Sequence, residues 1–257
     1  MSEGAFARFT RWTWPERELL WVVGEVATLV AQARDYHASH DIPWPDGADG
    51  LALRRFWCAA GLAAVSQPVR DAWGWTMTLP GLDWGLFCGV EPEGALASAV
   101  RAAEPSAVAC VVQRQRPGGV LRQTHLEPSS ADPVAAVSQF FATSEQIATH
   151  LWVDDQLQGL LVQALPGGAL QEVTQWSQAE AMAHFTALQQ GSHLRYSTEA
   201  LMWYGCRCSE GSVMEMLVRL PEADRRDLWG DELRLEIQCP RCLRAYGIAR
   251  QRASMSE

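Results

Sequence analysis

Four of the seven cysteines fall in two close pairs, Cys206-Arg207-Cys208 and Cys239-Pro240-Arg241-Cys242, with 30 residues between the pairs. Two sulfurs one or two residues apart reach a common ion with little loop-closure cost. Joining two such pairs gives the four-thiolate tetrahedral shell that zinc favours. The spacer reads as a folded insert. Ser209 is placed to cap a helix with Val213, Met216, Leu217 and Leu220 on its apolar face, and Pro221 ends it. Glu222 to Trp229 reads as a second short helix. Gly230-Asp231 then turns into the alternating run Leu233-Arg234-Leu235-Glu236-Ile237, a half-buried strand that delivers Cys239. A redox C-x-x-C at the head of a helix would need a longer βα unit than the residues after Cys242 supply.

The remaining cysteines, Cys58, Cys88 and Cys110, stand alone in apolar stretches and read as core residues. Seven cysteines with no basic-then-apolar leader around Glu3 suggest a reducing cytoplasm, where thiolates serve as ligands or sensors. Apolar residues make up 48% of the chain, enough for a sizeable core, and no run approaches the ~18–20 residues of a membrane span. Net charge is −9, and residues 201–257 carry nine arginines against nine acids. That balance argues against a nucleic-acid module, which concentrates basic charge. Lysine is absent.

In chain order, Glu16 to Tyr36 has helical spacing through Leu19, Leu20, Val23, Val26, Leu29 and Val30. His37 to Gly50 is a loop. Leu51 to Val69 is a second, more apolar helix ending near Gln67-Pro68. Trp75 to Leu79 and Trp84 to Val90 read as strands around the Pro80-Gly81 turn, and Ala107 to Val112 as a buried strand. Ala95 to Ala103 fits neither pattern clearly. Asp132 to Gln146 reads as a helix, followed by a strand pair from His150 to Val153 and from Gln158 to Leu165. From Gln171 to Tyr204, the positions Val173, Trp176, Ala179, Met182, Ala183 and Leu188 approximate a helical stripe that Gly191-Ser192 interrupts. Ser144-Glu145-Gln146 lacks the flanking glycines of a nucleophile elbow, and the six histidines form no ligand spacing, so the chain does not read as an enzyme.

Three segments in order carry a family signature: Phe140-Phe141-Ala142-Thr143-Ser144-Glu145-Gln146; Gly159-Leu160-Leu161-Val162-Gln163-Ala164-Leu165-Pro166-Gly167-Gly168; and the C-x-C and C-x-x-C pairs. Together they resemble the heat-shock protein 33 family of redox-regulated, ATP-independent holdase chaperones. The resemblance implies an α+β chain: an N-terminal α/β-sandwich-like substrate-binding domain (1–168), a helical linker (169–203) and a small C-terminal zinc redox-switch domain (204–257). It implies one zinc ion per chain held by Cys206, Cys208, Cys239 and Cys242 in the reduced, inactive form. It further implies that oxidants form Cys206–Cys208 and Cys239–Cys242 disulfides and expel the metal. The implied partners are unfolded client proteins and, on oxidation, a second copy of the chain, in the cytoplasm during stress, with neither nucleic acid nor membrane. Exposed tryptophans, if any, would be candidate client contacts. The chain departs from the family in a linker of only 38 residues between Gly167 and Cys206, and in Ile147-Ala148 after Ser-Glu-Gln. A regulatory or interaction protein with a purely structural zinc module is the alternative.

Overall fold

The computed structural model describes residues 6–67, 71–103 and 108–250. Glu3, Pro68, Val69 and Ala107, which enter the expectations above, lie outside the described residues. The chain is α+β, built on one sheet of ten strands. These are β1 (Ala7–Trp14), β2 (Leu19–Glu25), β3 (Ala72–Thr78), β4 (Trp84–Val90), β5 (Ala95–Ala102), β6 (Ala109–Gln115), β7 (Arg122–Leu126), β8 (Thr149–Val153), β9 (Gln158–Ala164) and β10 (Arg195–Tyr204). Their order across the sheet is β7-β6-β3-β4-β5-β10-β1-β2-β9-β8. All pairs are antiparallel except β5 and β10, which meet in parallel through Ala95–Trp203 and Leu96–Tyr204. That short seam places the end of β10 at the middle of the sheet.

One face is covered by α1 (Ala27–Ser39), α2 (Gly47–Ser66) and α3 (Pro133–Phe140). From Phe56 to Ser66 every residue of α2 is buried. Its small residues let it lie close to the strands, and Phe9 fills the space that a Cβ on Gly24 or Gly61 would take. Gly24 faces Gly159 across β2 and β9, where an added Cβ on Gly159 would stand 2.6 Å from the Cys58 sulfur. This backbone approach is what glycine permits in a strand.

The segment Glu16 to Tyr36 corrects the helical reading. A 3-10 turn (Pro15–Arg17) and Glu18 at φ +52° lead into β2, and only Ala27 onward is helix. Leu20 and Val22 pack under α2, while Leu19 and Trp21 face a second core on the opposite side. A strand covered on both faces reads as a continuous apolar run, so it loses the alternation that distinguishes strand from helix. Ala95 to Ala102, left open by the sequence, is β5.

The second core lies beneath α4 (Gln178–Gln190), which joins Leu19, Trp21, Leu160 and Val162 to Ala181 and Phe185. Of the expected stripe, Val173, Trp176, Met182 and Leu188 join this core, whereas Ala179 and Ala183 are exposed. The helix begins after Trp176, at a Ser177–Glu180 capping box, and the cap sets which residues turn inward. The segment expected to be linker, 169–203, is thus folded as α4 and most of β10. All twelve tryptophans are buried or half-buried, so none stands as an exposed candidate for client contact.

Candidate metal centre

The C-terminal module follows β10 directly. Gly205 donates its N–H to the Leu96 carbonyl at 2.8 Å, and Cys206 and Cys208 leave the sheet from that anchor. Ser209 then caps α5 (Glu210–Arg219) through a reciprocal pair with Ser212, at 3.1 and 2.9 Å. Of the expected apolar face, Val213 and Leu217 are buried with Trp229, Tyr246 and Ile248, whereas Met216 is 51% exposed. Helix α6 (Glu222–Trp229) and the hairpin of β11 (Arg234–Gln238) and β12 (Ala245–Ala249) complete the module.

Cys239 and Cys242 occupy the turn of that hairpin. The Leu243 N–H donates to the Cys239 carbonyl at 2.9 Å, and Leu243 takes φ +65° to close the loop. The Arg241 N–H points at the Cys239 sulfur at 3.4 Å. Such N–H donors favour the thiolate.

The four sulfurs of Cys206, Cys208, Cys239 and Cys242 lie within 4.8 Å of one another. Cys206 and Cys239 are 3.9 Å apart and Cys208 and Cys242 are 3.5 Å apart, each contact crossing between the pairs. A tetrahedral zinc with sulfurs at about 2.3 Å needs sulfur–sulfur edges of about 3.8 Å. Four sulfurs this close cannot all be thiolates without a counter-charge. The protons are accordingly shared unevenly. Cys239 is held below the ordinary thiol range because the Cys206 and Cys242 thiols donate to its sulfur, and Cys206 is raised by holding its proton in those bonds. The donor set and its spacing therefore fit a zinc ion.

Two phenols complete the surroundings. Tyr246 donates to the Cys208 sulfur at 3.1 Å, and Tyr36 of α1 donates to the Cys242 sulfur at 3.2 Å. Burial first, and these bonds second, hold both hydroxyls above the ordinary phenol range, so they remain donors. Arg101 of β5 donates to the Cys239 carbonyl at 3.5 Å.

The shape of the chain has known counterparts. The crystal structure of the 33 kDa chaperonin (heat shock protein 33 homolog) from Thermotoga maritima superposes with a TM-score of 0.68 over 97% of each chain, at 15% identity. Residues 126–249, which include all four clustered cysteines, match the Hsp33 protein family. The sequence of that segment and the fold of the chain point to the same family. Among curated relatives, the 33 kDa chaperonin of Hahella chejuensis (strain KCTC 2396) is 25% identical over 154 residues. That match covers 51% of this chain and spans about half, 53%, of the relative's length.

The other three cysteines stay apart from the cluster. Cys58, Cys88 and Cys110 sit in the core between the sheet and its helices. Burial raises all three, Cys110 to about 12, which leaves them protonated and poorly nucleophilic. Glu145 of the Ser-Glu-Gln segment accepts from Arg114 at 3.2 Å, and Arg114 also pairs with buried Asp71 at 3.0 Å. That segment is structural: it ties the end of α3 to β6. Sequence reasoning missed Tyr36, Arg101 and Tyr246. Only Tyr246 had a local signal, four residues beyond Cys242 on an alternating strand.

Proposed function

We propose that this chain is a redox-regulated, ATP-independent holdase chaperone whose switch is the cluster of Cys206, Cys208, Cys239 and Cys242. The observation that carries the reading is the cluster itself: four convergent sulfurs on two turns, beside a sheet with an apolar face under α4. Bound zinc would supply the charge that keeps the four sulfurs deprotonated, and would contribute much of the folding free energy of so small a module.

The chain's own residues do the rest. In the reduced form the two turns are held as one fold, and the module and α4 lie closed on the sheet. Peroxide is the oxidant. Cys206 and Cys208 together give up two electrons and form one S–S bond, while one peroxide takes two protons and leaves as two waters. Cys239 and Cys242 react likewise with a second peroxide. With its sulfurs joined within each pair, the cluster has lost its thiolate donors, and nothing holds the turns together. Residues 204–257 then unfold, residues 169–203 loosen, and the part spanning 1–168 presents apolar surface to unfolded clients. The oxidised chain forms a homodimer. A reducing cytoplasm is the compartment in which the resting thiolates persist.

The test is zinc content and free-thiol count on one sample, before and after peroxide with mild heat. Loss of one zinc with four thiols, together with suppressed aggregation of an unfolded client, is the expected result. Zinc retained with its thiols protected would overturn the switch and leave a structural zinc module. Zinc lost without client protection would overturn the chaperone.

A further inference from the structure

Each cysteine pair carries an arginine, and both arginines end on one carboxylate. Arg207, between Cys206 and Cys208, places its Nε 3.3 Å from Oε1 of Glu91. Arg241, beside Cys242, pairs through Nη2 with the same oxygen. Glu91 is only 4% exposed. It opens the turn between β4 and β5, where its N–H donates to the Ala95 carbonyl and its carbonyl accepts from Gly94, both at 2.9 Å. Gly94, at φ +108°, is tied in turn to Trp203 of β10 at 3.1 Å. The carboxylate is therefore fixed to the sheet, whereas both cations belong to the cysteine turns. The sheet also makes room for this arrangement. A Cβ at Gly89 would stand 2.7 Å from Nη2 of Arg241, and the guanidinium lies over the Phe87 ring at 5.8 Å.

We propose that Glu91 is the positioning residue that docks the cysteine module on the sheet, and that it makes docking conditional on both cysteine pairs being held together. The inference rests on the zinc-switch reading for its consequence, though not for its geometry. A carboxylate taken out of water is costly unless compensated, and removing one partner from a buried ion pair costs more than the intact pair contributes. With both turns in place, Glu91 has two counter-charges. When the turns part, Arg207 and Arg241 cannot both stay, and a buried carboxylate left with one of them favours release of the whole module. Separation of the sulfurs is thereby turned into undocking from β4 and β5, which uncovers Phe87 and Ala97.

The experiment compares the full-length reduced chain with Glu91→Gln, with Arg207→Gln/Arg241→Gln, and with all three changes together. Hydrogen exchange is read by mass spectrometry over residues 205–250, alongside zinc transfer to a chromogenic chelator. Glu91→Gln is expected to speed exchange across the module on the order of tenfold, with β1, β2 and β9 unchanged. The arginine pair should give the same effect, and the triple variant no more than either, because the three groups act as one unit. Module exchange within about twofold of wild type in Glu91→Gln, or additive effects of the carboxylate and the arginines, would overturn the proposal. If Glu91→Gln fails to fold, the arginine variant, whose changes lie on the module's own turns, decides alone by the same exchange criterion. A wild-type chain that holds no zinc would sink the switch reading, while the exchange comparison would still decide the docking role.

Discussion

Tyr36 and Cys242, 206 residues apart in the chain, are joined by a hydrogen bond of 3.2 Å from the phenol to the sulfur. The contact links α1, on the helical face of the sheet, to the last cysteine of the candidate metal centre. Groups that hydrogen-bond metal ligands orient them, and their loss typically costs 10–100-fold in metal affinity. Tyr36→Phe should therefore retain zinc at one equivalent but surrender it to a competing chelator on the order of tenfold faster. Chelator transfer at equal protein concentration measures this. An unchanged rate would mean that the phenol only fills space.

Metal removal should dissolve the module and spare the sheet. Val213, Leu217, Trp229, Tyr246 and Ile248 form a small core that meets the sheet at Ala97, distinct from the clusters under α2 and α4. A core of that size depends on its metal. A strong chelator, or Cys239→Ser, should abolish exchange protection over Cys206–Ile248 while protection of β1, β2 and β9 persists. Concerted loss of both would show that the module is not a separate folding unit. Acid should act as the chelator does, since protons compete with the metal for the sulfurs.

The convergence of the four cysteines was legible because its signal is local: two pairs of cysteines, a capped helix between them and an alternating strand before the second. The strands β3, β4, β8 and β9 and the helix α2 were legible for the same reason, each carrying its own period and its own turn. Leu19 to Val23 was misread because the information lies outside the segment. Only the presence of α2 on one side and α4 on the other makes a solid apolar run a strand. Ala181 and Phe185 were missed as inward positions of α4 because Ser177 and Glu180, rather than the apolar positions alone, decide where the helix starts. Tyr36 and Glu91 gave no signal at all, since each reaches the cluster only through the closing of the ten-stranded sheet. Arg207 and Arg241 stood in plain view between the cysteines, but nothing nearby in sequence showed what they would face.

Phe185 holds α4 on the sheet. Its ring lies 6.0 Å from Trp12 and 5.9 Å from Trp21, and Ala181 is the other buried residue of the helix. Truncating a buried phenylalanine costs about 3–5 kcal/mol, more than a helix with two buried residues is expected to spare. In Phe185→Ala the helix should lose exchange protection, and the Trp21 face should bind a hydrophobic dye in the reduced protein. Client protection should then appear without oxidant while zinc content stays at one equivalent. Dye binding without client protection would locate the client surface elsewhere on the chain.

His37 makes stability depend on pH. It is 4% exposed, its Nδ1 lies 3.0 Å from the Pro43 carbonyl and its Nε2 lies 3.2 Å from the Tyr204 hydroxyl. The carbonyl only accepts, so Nδ1 carries a proton, and Nε2 faces the Tyr204 hydroxyl, which donates to the Ser98 carbonyl at 3.4 Å. Burial favours the neutral imidazole and holds its pKa below the ordinary histidine value. Above the unfolded value, near 6.5, both states are neutral and the contribution is fully present. As pH falls through that value the unfolded chain binds a proton that the folded chain refuses. Stability is then lost at up to about 1.4 kcal/mol per pH unit until the folded pKa is reached. Thiols and His150 titrate as well, so the informative quantity is the difference between wild type and His37→Gln in urea unfolding at pH 7.5 and pH 5.5, each about one unit from the unfolded value. The variant should be less stable than wild type at the higher pH and should close that gap at the lower one. A gap that stays constant with pH would show that His37 takes up its proton equally in both states, and that its buried bonds do not select the neutral ring.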